Sequence, residues 1–184
     1  MNPNRLLIAL LVALAGCMSV PSPAVRDKLD AKTGSTISTL PDSIQLVTAA
    51  YRGANATAFA YLAPFEIDQM GVRTLFLWVL VPNDGPATSP PVILCDGKDV
   101  DLHLQTGGLN EMRLTEPPYK PPYPWGTQWH FLLTDAALKC FAQAHLIELE
   151  YLGTRPEPER FTIESRKDAT GFPVLQAFVA HRAK

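Results

Sequence analysis

Apolar spacing divides the chain into three zones. Residues 6–14 form an unbroken apolar run, LLIALLVAL; residues 18 to about 40 are rich in Ser, Thr, Pro and charge with little periodicity; beyond residue 40, apolar positions recur in short blocks, mostly every second residue. That last period is the signature of a strand with one covered face. IQLVTAAY (44–51) and TAFAYLA (57–63), separated by the turn-prone RGAN, predict a hairpin. RTLFLWVLV (73–81) is apolar on both faces and predicts a central strand covered on each side, stopped by PNDGP.

VILCDGKDVDLHL (92–104) places Asp96-Gly97 between two strands, a strong short-range hairpin signal. Its second arm alternates Val100, Leu102 and Leu104 with Asp99, Asp101 and His103, and LNEMRL reads as a further strand of an antiparallel meander. TQWHFLL (127–133) is another strand. In the helical segment after it, Thr134 caps the start, Asp135 suits the positive end of the dipole, and Ala137, Cys140, Phe141 and Ala144 form a core-facing stripe. HLIELEYL and FTIES return to strand patterning, and PVLQAFVAH fits either period. The fold class this implies is mainly β, an antiparallel β-sandwich (immunoglobulin-like or similar) with one short α-helix near 135–144, built as a single β-rich domain over 41–184.

The first zone has a different logic. Leu6 to Ala15 is about ten apolar residues where a membrane-spanning helix needs roughly 20. One arginine, a short apolar core and the small residues Ala15 and Gly16 ahead of Cys17 give the layout of a removable export signal. Leu14-Ala15-Gly16-Cys17 resembles the lipobox of bacterial lipoproteins. That resemblance implies that 1–16 is a signal peptide cut just before Cys17 and that the Cys17 sulfur carries diacylglycerol; the composition of the polar stretch after it reads as a flexible tether, so that 17–40 is a lipidated N-terminus and tether. It further implies a lipid-anchored cell-envelope protein, and Met18, which is not the aspartate associated with inner-membrane retention, favours the outer membrane. Two or more acyl chains hold firmly where one gives only marginal residence, at about 0.8 kcal/mol per buried methylene.

With Cys17 assigned to lipid by that resemblance, an oxidising exported compartment invites Cys95 and Cys140 to pair. Two separate buried thiols are the other reading. Formal net charge is −2, and Arg5 lies in the leader, so the rest of the chain is slightly more acidic. With no basic cluster, this argues against nucleic acid as a partner.

The sequence holds no G-x-S-x-G, no H-E-x-x-H and no phosphate-cradling glycine loop. No catalytic residue, metal ligand or cofactor site is assigned. Asp101 and His103 share a strand face, Glu148 and Glu150 share another, and both pairs read as solvated polar surface. His130 and His145, each beside apolar residues, read as core or interface histidines with satisfied rings. The unusual stretch is EPPYKPPYPWGTQW (116–129), with five prolines, two tyrosines and two tryptophans. Proline favours extended, semi-rigid geometry, and the rings of Tyr119, Tyr123, Trp125 and Trp129 supply contact area for a protein or envelope component. The same rings folded back over the core would cap the fold instead. The expected function is a non-enzymatic binding or structural module facing the periplasm or surface; the alternative is a small-ligand carrier or enzyme with a dispersed pocket near 116–129.

Overall fold

A computed structural model describes residues 25–48, 59–82, 89–153, 157–164 and 171–183. Cys17 and the signal peptide expected over residues 1–16 lie outside them. The strands are β1 (Arg26–Asp30), β2 (Ser35–Thr39), β3 (Ile44–Thr48), β4 (Phe59–Gln69), β5 (Val72–Pro82), β6 (Val92–Cys95), β7 (Lys98–Asp99), β8 (His103–Leu104), β9 (Gly126–Leu132), β10 (Leu146–Tyr151) and β11 (Glu159–Glu164). Three helices join them among the described residues: α1 (Gly108–Glu111), α2 (Asp135–Gln143) and α3 (Gly171–Arg182).

The protein is mainly β and antiparallel, as its patterning predicts, but the described strands make one continuous 11-stranded sheet, curled into a half-barrel. The two stacked sheets of a sandwich are replaced by one sheet with unlike covers. Its order is β7-β6-β10-β11-β3-β4-β5-β9-β8, and β2, carrying β1, also pairs with β4. Strands β4 and β5 are apolar on both sides because each face has its own cover. The inner face presents Leu62, Leu77, Val79, Ile93, Ile147, Leu149 and Phe161 to α2 and α3, which bury Leu138, Phe141, Leu175 and Phe178.

Within that inner face Glu66 is only 2 % exposed. A buried carboxylate must be paired. Arg73 on β5 donates to it at 2.6 Å, and Arg182 at the end of α3 donates to its other oxygen and to Asp135. The Arg73 guanidinium also reaches the Arg182 carbonyl at 3.1 Å, so these groups latch the C-terminal helix onto the sheet.

Cys95 and Cys140 are at bonding distance, 2.06 Å between sulfurs, tying β6 to α2. The helix stripe is rotated slightly from expectation. Ala137, Leu138, Phe141 and Ala142 are buried, Ala144 packs just past the helix end, and exposed Cys140 reaches Cys95 from the flank. Thr134 accepts from the Ala137 N–H at 3.1 Å, the expected cap.

The Asp96-Gly97 hairpin forms as expected, with φ of 50° and 76° and Cys95 opposite Lys98. Asp96 also acts beyond its own turn. Its carboxylate accepts from the His145 and Leu146 N–H groups at 2.9 and 2.8 Å, fixing the start of β10. Three expectations change. LNEMRL holds Leu109 to Glu111 of the short helix α1 instead of a strand, KDVDLHL gives only the two-residue strands β7 and β8, and PVLQAFVAH resolves as the greater part of α3.

The expected tether also ends earlier than residue 40. β2 pairs with β4, placing Ile37 opposite Ile67, and both Ile37 and Leu40 are buried. Alternation of Ile37 with polar neighbours is enough for an edge segment when β4 supplies the ladder. β2 and β3 run along the same edge of β4, Thr39 opposite Phe65 and Ile44 opposite Leu62, with a break at 40–43 that contains Pro41.

Candidate functional site

The outer face of β4, β5 and β9 carries Phe65, Phe76, Trp78 and His130. Its cover is the proline-rich strap, residues 112–125, running from the β1–β2 turn to the start of β9. Such a strap lies outside the ladder, and any N–H it buried would need another partner. Pro117, Pro118, Pro121, Pro122 and Pro124 remove five of those donors. Three side-chain rungs then pin it.

At the first rung Asp30, 6 % exposed, accepts from the Thr115 hydroxyl at 2.7 Å and N–H at 3.0 Å, and from the N–H groups of Lys32 and Thr33 in its own turn. The Thr115 bonds, ahead of those from the turn, hold its carboxyl down at about 2. Lys28 and Glu116 form an exposed ion pair beside it, 2.7 Å apart.

The second rung sits at the break between β2 and β3. The Tyr119 hydroxyl accepts from the Leu40 N–H at 2.9 Å and donates to the Pro64 carbonyl at 2.5 Å. Proline in a central strand normally forfeits a ladder bond. Here the edge of β4 that Pro64 faces has no strand at that level, and one phenol satisfies both flanking backbone groups. The ring packs against Phe65 and Trp78 at centroid distances of 6.4 and 5.5 Å, and burial pushes its hydroxyl pKa up.

At the third rung Tyr123 donates to the Phe59 carbonyl at 2.7 Å, and burial likewise pushes its pKa up. A Cβ on Gly126 would lie 2.4 Å from Leu80 Cδ1 and 2.7 Å from Tyr123 Cε2, so the strap closes onto β9 only because that side chain is missing. Tyr123 stacks on Trp125 at 5.3 Å and 18°, and meets Tyr61 edge-on at 5.9 Å. Trp125 is 66 % exposed.

The four aromatic residues singled out in the sequence therefore part company. Tyr119 is a buried structural bridge. Trp129 lies opposite Val79 on the inner face, with its indole N–H buried and unpartnered. Tyr123 and Trp125 come together as a ledge, joined by Tyr61, which sequence reasoning did not single out. Its signal lay in the alternation of TAFAYLA, which puts Phe59 and Tyr61 on one strand face and Ala60 and Leu62 on the other. Asp30 was also missed, although Asp-Ala-Lys-Thr-Gly is turn chemistry with an acceptor at its first position.

Other candidates resolve more simply. Asp101 and His103 are both exposed, and Glu148 and Glu150 share the outer face of β10, each paired with Arg160 of β11. His130 is not the satisfied core histidine expected. Its Nε2 is buried without a partner, its ring stands edge-on to Phe65 at 6.2 Å, and desolvation lowers its pKa. Among the described residues, no group of three His, Cys, Asp or Glu side chains is placed to hold a metal ion, and no helix is long and apolar enough to cross a membrane.

A groove of about 330 Å³ lies between the β1–β2 hairpin and the strap, lined by Lys28, Asp30, Lys32, Thr115, Glu116 and Pro117 among others. Its carboxylates are engaged, Asp30 with the strap and turn donors and Glu116 with Lys28. The groove thus offers anchoring contacts more than a poised acid or base. No family model, curated protein or solved structure matches this chain.

Proposed function

We propose that this is a lipid-anchored cell-envelope protein, attached through Cys17, that acts as a non-enzymatic binding module through the Tyr123–Trp125 ledge. One observation carries the reading. Trp125 stays 66 % exposed on a segment whose Tyr119 ring is buried, and its half-buried neighbour Tyr123 is fixed by a hydrogen bond and a close-approach glycine. An aromatic surface held rigid loses little entropy on contact, which is the condition for a good binding anchor. The lipobox resemblance supplies the anchor, and the departure of Met18 from aspartate favours the outer membrane.

The test has two arms. Cys17→Ala should abolish incorporation of labelled lipid, and persistent labelling would refute the anchor. A photo-crosslinking residue at position 125 should capture an envelope component that the same residue at position 72, exposed on the β4–β5 hairpin at the opposite end of the sheet, does not. Equal capture at both positions, or none at 125, refutes the ledge as a contact surface.

A further inference from the structure

We infer that the Tyr123–Trp125 ledge docks into the headgroup region of the membrane that holds the lipid on Cys17. This rests on the anchored reading above and specifies what the ledge contacts.

Chain direction is the first ground. Strand β1 runs from Arg26 to Asp30 toward the turns at 31–34 and 70–71, so its amino-terminal end points the other way, toward the end of the sheet that carries the ledge. Arg26 lies level with Thr39 and Phe65. The row containing Phe59 and Gly126 is six strand positions further on, about 20 Å.

Length is the second ground. Eight residue steps separate Cys17 from Val25. Fully extended they span at most about 29 Å. The lipid and the ledge therefore lie within reach of one another along the same direction, and a chain this short keeps the domain low on the bilayer. Had the polar stretch been free to residue 40, no face would be favoured.

Chemistry is the third ground. Tryptophan and tyrosine are enriched at the membrane–water interface, where an apolar ring body and a polar tip each find a suitable environment. Trp125 presents its ring to solvent, and Tyr123 is already bonded to the Phe59 carbonyl, so docking strands no hydroxyl of that residue in the acyl region. The covalent lipid makes docking intramolecular, so a weak interfacial preference suffices to orient the domain. At the opposite end, Met70 and Val72 are exposed on the β4–β5 hairpin, facing away from the surface in this orientation.

The test uses the acylated full-length protein in zwitterionic phosphatidylcholine vesicles containing lipid brominated near the headgroup end of its chains. Zwitterionic lipid isolates the aromatic contribution from charge attraction. Mass spectrometry first establishes acylation of Cys17. Trp78 is fully buried and Trp129 half-buried, so the difference between wild type and Trp125→Phe reports on Trp125. The expected result is loss of the Trp125 emission to bromolipid, a blue shift, and protection from aqueous iodide. In a chain with acylated Cys17, a Trp125 that stays open to iodide and unquenched by bromolipid overturns the docking inference and leaves the anchor standing. Protection from both quenchers, with a protein adduct from a crosslinker at 125, overturns it in favour of a protein partner. An unacylated Cys17 overturns anchor and docking together.

Discussion

Replacing Tyr119 with Phe isolates the phenol that spans the break in the sheet. The ring and its contacts with Phe65 and Trp78 are kept, and only one oxygen is removed. Two buried backbone groups then lose their partner: the Leu40 N–H at 2.9 Å and the Pro64 carbonyl at 2.5 Å. Leu40 is 2 % exposed and Tyr119 6 %, so water does not readily replace the hydroxyl. A buried group left unpaired costs about 1–3 kcal/mol. The phenol's own desolvation is recovered, so the net loss for the pair should be roughly 2–4 kcal/mol. Urea unfolding followed by tryptophan emission measures it, and Tyr123→Phe serves as the comparison. Tyr123 is half-buried and its hydroxyl serves one backbone acceptor, so its loss should be smaller, about 1 kcal/mol. A Tyr119→Phe loss no larger than that of Tyr123→Phe refutes the bridging account.

Three further outcomes follow from the same geometry. Met70 has φ 52° on a hairpin tip and is 98 % exposed, so Met70→Asn should relieve left-handed strain without losing packing. The gain should be roughly 1 kcal/mol; an unchanged or lower urea midpoint counts against it. Asp30, held at about 2 in the fold against an ordinary 3.8, contributes stability that is fully present above pH 3.8 and is lost as pH falls through the folded value. The acid limb of a urea-midpoint titration should accordingly flatten in Asp30→Asn, and an unchanged limb would assign acid sensitivity elsewhere. Reducing the Cys95–Cys140 bond, which closes a 45-residue separation, should lower stability by roughly 4 kcal/mol in the chain-entropy picture; free alkylation of both thiols in the native protein under non-reducing conditions would show that the bond does not form.

Strand positions were legible where period and punctuation agreed. The Asp96-Gly97 hairpin and the doubly covered β5 follow from residues close in sequence. What covered β5 was not legible, because apolar residues on both faces require two covers without saying whether they are sheets, helices or loops. Residues 26–39 were misjudged for a related reason. β1 is exposed and charged along most of its length, the usual protection of a sheet edge against further pairing, and such a segment has the composition of a linker. Only its pairing with β2, and that of β2 with β4, marks it as part of the fold.

The candidate site shows how far local sequence carries an argument. Rings and prolines in 116–129 announce a rigid aromatic segment, but which rings are spent internally depends on partners far along the chain. Tyr119 is consumed by Leu40 and Pro64, and Tyr123 by Phe59. The break opposite Pro64 explains why a proline is tolerated in the middle of the sheet, why a tyrosine must stand over it, and why the strap takes a fixed course. That fixed course leaves Trp125 exposed at the end of the sheet toward which β1 opens. The start of β1 also sets the reach of any anchor at Cys17. The misjudged segment is therefore the one with most bearing on the proposed function: with residues 26–39 inside the sheet, a lipid on Cys17, as proposed above, would hold the domain within about 29 Å, the reach of the eight steps from Cys17 to Val25.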